Sequence, residues 1–211
     1  MARPTRKSVP RNHLHGPVLN VELQLRSATS RSWLEAVLGD FDAFLIDHAA
    51  NERKASATAL TFVVRYPDRQ QLIGPMIALS IEELQHFEAV HKILAERGLR
   101  AVPDEKDAYV NQLLAEVHSS GEQRLLDRLI VGAVVEARGC ERFGLIVQAL
   151  PAGELKDLYV EITASEERHV ALYLELAAHW FDEPTIAARL DVFLDLEAAV
   201  IERLAIRPRL H

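Results

Sequence analysis

Apolar residues return at three- and four-residue intervals along most of this chain, a period that predicts helices divided by a few clear stops. From Ser30, a good N-cap, the positions Trp33, Leu34, Val37, Leu38, Phe41, Phe44, Leu45, Ala49 and Ala50 share one face. They predict one helix running through Glu52 to about Val64 and stopping at Tyr66-Pro67-Asp68. A second helix is predicted from Asp68 to about Glu96, with Gly98 as terminator and Pro75 a candidate kink near its start. A polar linker, 101–107, leads to a short amphipathic piece at about 108–118 that ends at Ser119-Ser120-Gly121. Long helices follow at about 122–149 and 152–181, and a last one at about 184–206 opens on Pro184. Residues 18–29 lack a clear period and read as a short extended packing segment. Residues 1–17 carry four basic side chains, three prolines and no acid, and read as a tail on the surface or mobile. The remainder, 18–211, is expected to be one all-α domain: a four-helix bundle with an additional C-terminal helix.

Composition narrows the setting. Apolar residues are 49% of the 211 and charged ones 26%, enough for a sizeable core. Glycine and proline number nine each, which suits helices. Cys140 is the single cysteine, so an intrachain disulfide is excluded and a reducing compartment is expected. No apolar stretch follows the basic first residues, and none reaches the ~18 residues a spanning helix needs. The expectation is a soluble cytoplasmic protein that does not enter a membrane. A net charge of −7 gives no general attraction to nucleic acid.

Six residues carry the chemistry. Glu52 stands 31 residues before Glu83-x-x-His86, and Glu136 stands 30 before Glu166-x-x-His169. The second set follows the first at an offset of 83 or 84. In each motif carboxylate and imidazole share one helix face. Partners ~30 residues apart across a tight turn lie each ~20 Å from it, so they reach the same height in a bundle. Such paired half-sites hold two metal ions between four helices. Glu52 and His86 are assigned as terminal ligands of one ion, Glu136 and His169 of the other, with Glu83 and Glu166 bridging. Carboxylate and imidazole suit iron, manganese or zinc, and the lack of paired cysteines argues against an iron–sulfur cluster or zinc ribbon. The set points to a non-haem di-metal enzyme, di-iron first. Glu136 sits in LIVGAVVEARGCERFGLIV and Glu52 follows FLIDHAA, apolar settings in which an unpaired carboxylate is costly.

Other features have plainer readings. Glu88-Ala89-Val90-His91 repeats the motif but has no upstream glutamate at the right distance, so both polar residues are expected on the surface. Cys140, four residues beyond Glu136, is expected on the inner face, as a small core residue first and a reactive thiol second. Tyr159 and Tyr173 lie seven residues either side of Glu166 and either line a cavity or pack. His48, one turn before Glu52, is either a support for that ligand or a partly exposed structural histidine. Asp104, Glu105 and Asp107 read as a solvated loop, and Arg53, Lys54, Arg65 and Arg69 as scattered charges or part of a contact surface for an anion.

The segments LIDHAANERKASATAL (45–60), EELQHFEAVHKIL (82–94), IVGAVVEARGCERF (130–143) and SEERHVALYLEL (165–176) resemble the bacterial tRNA 2-methylthio-N6-isopentenyladenosine hydroxylases, the MiaE family. The resemblance covers about 30–205, and all six ligand positions of the family are present in this chain. It implies a ferritin-like fold and an O₂-dependent hydroxylation of the isopentenyl side chain of a modified adenosine in tRNA. It further implies two iron ions, with manganese an alternative, and an external electron donor such as a reductase or ferredoxin. A tRNA substrate would require a basic rim near the site despite the acidic net charge. Two other classes stay open: a ferritin-like oxidase or catalase acting on a small molecule, and an iron-binding or storage protein.

Overall fold

The computed structural model describes residues 21–211, so the expected basic tail at 1–17 lies outside the described residues. The described residues form seven helices and no strand: α1 (Arg31–Gly39), α2 (Phe41–Arg65), α3 (Gln70–Glu96), α4 (Ala108–Ala115), α5 (Gly121–Ala149), α6 (Glu154–Ala177) and α7 (Glu183–Arg203). Two antiparallel hairpins, α2–α3 and α5–α6, make the bundle, and α3 touches α6 across it. Around this frame α7 packs on α5, α4 wedges against α5 and α7, and α1 lies on α2.

Local chemistry accounts for the helix ends. Ser30, Asp40, Asp107 and Asp182 each accept a hydrogen bond from the backbone N–H three residues on, satisfying a donor the helix leaves free. After α3, Gly98 takes φ 70° while its N–H and that of Leu99 donate to Ala95 and Leu94, a Schellman ending that favours glycine. The single helix expected from Ser30 to Val64 is two. At Asp40 the backbone turns out of helix (φ −143°) and the side chain caps a new start at Phe41. α3 runs through Pro75 as one helix, forgoing one hydrogen bond near its start. The stretch at 21–29 is irregular and packs as expected: Val21, Leu23 and Leu25 lie on the core and Arg26 pairs with Asp191 and Asp195 of α7.

The core is split in two along the bundle axis. One cluster gathers Phe62, Leu72, Met76, Leu129, Ile130, Val134 and Tyr173 with the inner face of α7. The other gathers Trp33, Phe44, Leu45, Val90, Leu94, Phe143 and Tyr159. Each bundle helix passes from one cluster to the other, and the polar residues singled out above lie at the crossing.

Candidate metal centre

At that crossing the structure brings all six residues together. Glu52, Glu83, His86 and Glu166 form one donor group, and Glu83, Glu136, Glu166 and His169 a second, with donor atoms in each within 4.8 Å of one another. Glu83 and Glu166 belong to both groups. His86 Nδ1 lies 3.5 Å from Glu52 Oε2 and from Glu83 Oε2, and 3.9 Å from Glu166 Oε1. His169 Nδ1 lies 2.8 Å from Glu83 Oε1 and 3.5 Å from Glu166 Oε2.

These close approaches are not hydrogen bonds. Glu83 Oε1, His86 Nδ1, Glu166 Oε2 and His169 Nδ1 are all buried without an aligned partner. Orphaned polar atoms at that depth are rare in folded proteins and call for an explanation. Four carboxylates and two imidazoles aimed at two shared points fit a pair of divalent cations, whose charge would offset that of the acids.

Electrostatics tell the same story. Burial pushes Glu83, Glu136 and Glu166 above the ordinary carboxylate range, and the charges of neighbouring glutamates push the same way. Burial lowers the imidazoles, but contacts with Glu52 and then Glu83 at His86, and with Glu83 at His169, outweigh it and carry both up to about 9. The cluster therefore holds protons where positive charge is needed. Glu52 differs: burial raises it, yet the charge and hydrogen bond of His48 prevail and keep it ionised below the usual range.

Two supports surround the donors. His48 is fully buried, correcting the partly exposed alternative; its Nε2 donates to Glu52 Oε1 (2.5 Å) and its Nδ1 lies 3.1 Å from the Tyr159 hydroxyl. Sequence reading missed Glu82. Its Oε2 sits 3.3 Å from His169 Nε2, the nitrogen facing away from the cluster, while Ser165 and Arg168 donate to its other oxygen. Burial raises Glu82, but these hydrogen bonds bring it down to about 2. A usable signal existed: Glu82 and Ser165 immediately precede Glu83 and Glu166 and repeat at the same offset of 83.

A cavity of about 150 Å³ opens onto the cluster. Glu52, Glu83, Glu136 and Glu166 reach it beside apolar walls from Ala55, Phe62, Val131, Val135 and Tyr173. Its inner line on α5 is Gly132, Glu136, Gly139 and Phe143. Cys140 does not share that face: at about 100° per residue Gly132, Gly139 and Phe143 all fall on one side of Glu136, and Cys140 falls on the other. Cys140 is half-buried beside Glu141 and Glu167 at the surface, and burial lifts its thiol to about 11. Tyr173 lines the cavity, Tyr159 packs in the core under His48, and Glu88 and His91 are exposed. Of the basic residues, Arg53 and Arg69 are paired with Asp104 and Glu122, while Lys54 and Arg128 stand on the cavity wall.

Fold and site together define a ferritin-like four-helix bundle with duplicated Glu…Glu-x-x-His half-sites. Residues 17–211 match the family model for tRNA-(MS[2]IO[6]A)-hydroxylase (MiaE), and the chain belongs to that family. It is 36% identical over 182 residues to the tRNA 2-(methylsulfanyl)-N(6)-isopentenyladenosine(37) hydroxylase of Pseudomonas putida, covering 86% of this chain and 88% of that protein. The Salmonella typhimurium enzyme of the same name is 36% identical over 135 residues, 64% of this chain and 49% of that protein. Among solved structures, a Synechococcus protein described as having aldehyde deformylating oxygenase activity superposes with a TM-score of 0.84 at 34% identity. That match covers 89% of this chain and 94% of the other. No helix among the described residues is long and apolar enough to cross a membrane.

Proposed function

We propose that this chain hydroxylates the isopentenyl side chain of 2-methylthio-N6-isopentenyladenosine in tRNA, with O₂ as co-substrate and two iron ions held by the six convergent residues. The observation that carries the reading is two donor groups sharing Glu83 and Glu166 at the floor of an apolar cavity. Glu52 and His86 would hold one ion, Glu136 and His169 the other, and Glu83 and Glu166 both. Iron supplies the redox chemistry that turns O₂ on an unactivated C–H bond.

The rest is the work of side chains. His48 fixes Glu52 and Glu82 fixes His169, so the donors are oriented before an ion arrives. Phe62, Val131, Val135 and Tyr173 exclude water from the place where a C–H bond must be met. A cavity near 150 Å³ accepts a benzene-sized group, as an engineered lysozyme cavity of that size does. A five-carbon prenyl chain fits within it, and the purine stays at the mouth. The base must leave the anticodon-loop stack to present that chain. Two electrons per turnover come from a separate donor of the reductase or ferredoxin kind.

Metal analysis and turnover on one sample test this. Purified protein is assayed for iron and manganese, reduced, and mixed with O₂ and tRNA bearing the isopentenylated adenosine, whose nucleosides are then weighed. Two irons per chain and a gain of one oxygen atom are expected. Untouched tRNA would sink the substrate assignment and direct the assay to small aliphatic aldehydes, which the apolar cavity and the Synechococcus neighbour favour next.

A further inference from the structure

The cavity above the donor cluster runs between α2 and α5. Where its wall meets solvent it carries two cations, Lys54 of α2 and Arg128 of α5, both part-exposed. Arg128 reaches across to the opposite helix, its guanidinium 5.8 Å from the centre of the Phe62 ring, and Phe62 is itself a wall residue. None of its nitrogens is sealed from solvent without a partner, so its free N–H groups face open space.

What surrounds Arg128 is more positive charge. Arg65 follows Phe62 by three residues on α2, and Arg124 precedes Arg128 by four on α5, so each shares a helix face with its neighbour. The contact of Arg128 with Phe62 brings those two faces together. The acids at hand are engaged elsewhere. Asp127 is buried against Arg189 and His118, while Asp68 and Glu122 pair with Arg69. Arg124 donates to the carbonyls of His118 (3.1 Å) and Ser119 (3.3 Å), which leaves its charge uncompensated. Burial and the charges of Arg124 and Arg65 push Arg128 below the ordinary guanidinium range, against an opposing pull from Tyr173 and Tyr66. Charges placed only for solubility would be dispersed among acids, as Arg53 and Arg69 are.

We propose that Arg65, Arg124 and Arg128 form a subsite for a backbone phosphate of the RNA strand at one end of the cavity mouth, an inference that rests on the substrate reading above. A guanidinium offers its N–H groups as a fork that matches phosphate oxygens. Phosphate contacts fix the register of a strand without reading its sequence, which suits a site whose selection lies in the side chain on the base. Lys54 stands eight residues before Phe62, about 12 Å away along α2, on the far side of the entry. A nucleotide has a phosphate on either side of its sugar, so a strand crossing the mouth meets a cation at both ends. A local cluster of this kind lets a chain of net charge −7 hold a polyanion.

The test compares two substrates on iron-loaded protein: tRNA carrying the modified adenosine, and the same nucleoside free, which has no phosphate. Arg128→Gln removes the charge and keeps much of the stem over Phe62. The ratio of KM for tRNA to KM for nucleoside should rise about tenfold, and the slope of log KM against log salt on tRNA should fall by about one. Arg128→Lys, which restores the charge without the fork, should recover part of the ratio. The double variant Arg65→Gln, Arg124→Gln lies off the cavity wall and should act in the same direction. A merely structural role for Arg128 would raise both KM values together and leave the salt slope alone. Should Arg128→Gln fail to fold, the double variant decides; should the free nucleoside not turn over, the salt slope on tRNA decides. An unchanged ratio and slope overturn the phosphate subsite and leave the substrate reading intact. Wild-type protein that leaves both tRNA and nucleoside untouched overturns both.

Discussion

A carboxylate has two oxygens, and Glu83 and Glu166 are placed where both count. Each belongs to both donor groups, whereas Glu52 and His86 belong to one and Glu136 and His169 to the other. Unequal losses follow. Glu83→Ala or Glu166→Ala should strip both ions and abolish oxidation, while Glu52→Ala should spare the group around Glu136 and His169. Metal-to-protein ratios after desalting read this directly, and turnover retained in either bridging variant would contradict the assignment. The histidines add a pH dependence. His86 and His169 keep their protons to about 9, against an ordinary imidazole near 6.5. A divalent ion needs the neutral ring, so binding at pH 7 must displace protons. Apparent affinity should therefore rise as pH climbs from about 6.5 towards 9 and level off above. Calorimetric titrations in buffers of different ionisation heat would measure the protons released, and a flat or falling affinity would contradict the picture.

Helices are where sequence and structure meet most closely. The spacing of Glu52, Glu83, Glu136 and Glu166 was enough to pair α2 with α3 and α5 with α6, since a hairpin aligns residues equidistant from its turn. Hydrophobic period alone did not reveal the break at Asp40, because the apolar stripe continues through it and only the capping side chain marks the restart. Nor did it separate Gly139 from Cys140 as the inner residue of α5, a difference of one helical step. Glu82 stayed hidden for another reason. Its role depends on contacts with Ser165 and His169 of α6, which only the 83-residue offset, extended by one position, could have suggested. The inner face of α5 carries its own prediction. A Cβ on Gly132 would fall 2.5 Å from the Tyr173 ring, and that ring is buried beside Phe62. Gly132→Ala should push Tyr173 into the cavity, costing about 1–3 kcal/mol of stability and lowering turnover, while iron content stays unchanged. Denaturant unfolding alongside metal analysis checks both halves.

The molecule as a whole is two hydrophobic clusters with a polar layer between them. In most bundles the core runs unbroken and its burial drives folding. Here four glutamates and three histidines interrupt it between Ala49 and Ala59 on α2, with matching interruptions on the other three helices. Buried carboxylates without partners oppose folding, and three of these are pushed well towards their protonated form. A ligand that binds only the folded chain shifts the balance by mass action, about 2.7 kcal/mol at a hundredfold excess over Kd. For a domain of this size that corresponds to a rise in Tm of roughly 5–10 °C. Metal-stripped protein should thus unfold at lower temperature than the iron-loaded form, and restoring iron or manganese should return the difference. The loss should be greatest at neutral to mildly alkaline pH, where ions compete best with protons for the imidazoles. Scanning calorimetry of the two forms measures it. Equal melting temperatures would mean that the polar layer is satisfied without metal, and the two half-cores would then be held together by the protonated cluster alone.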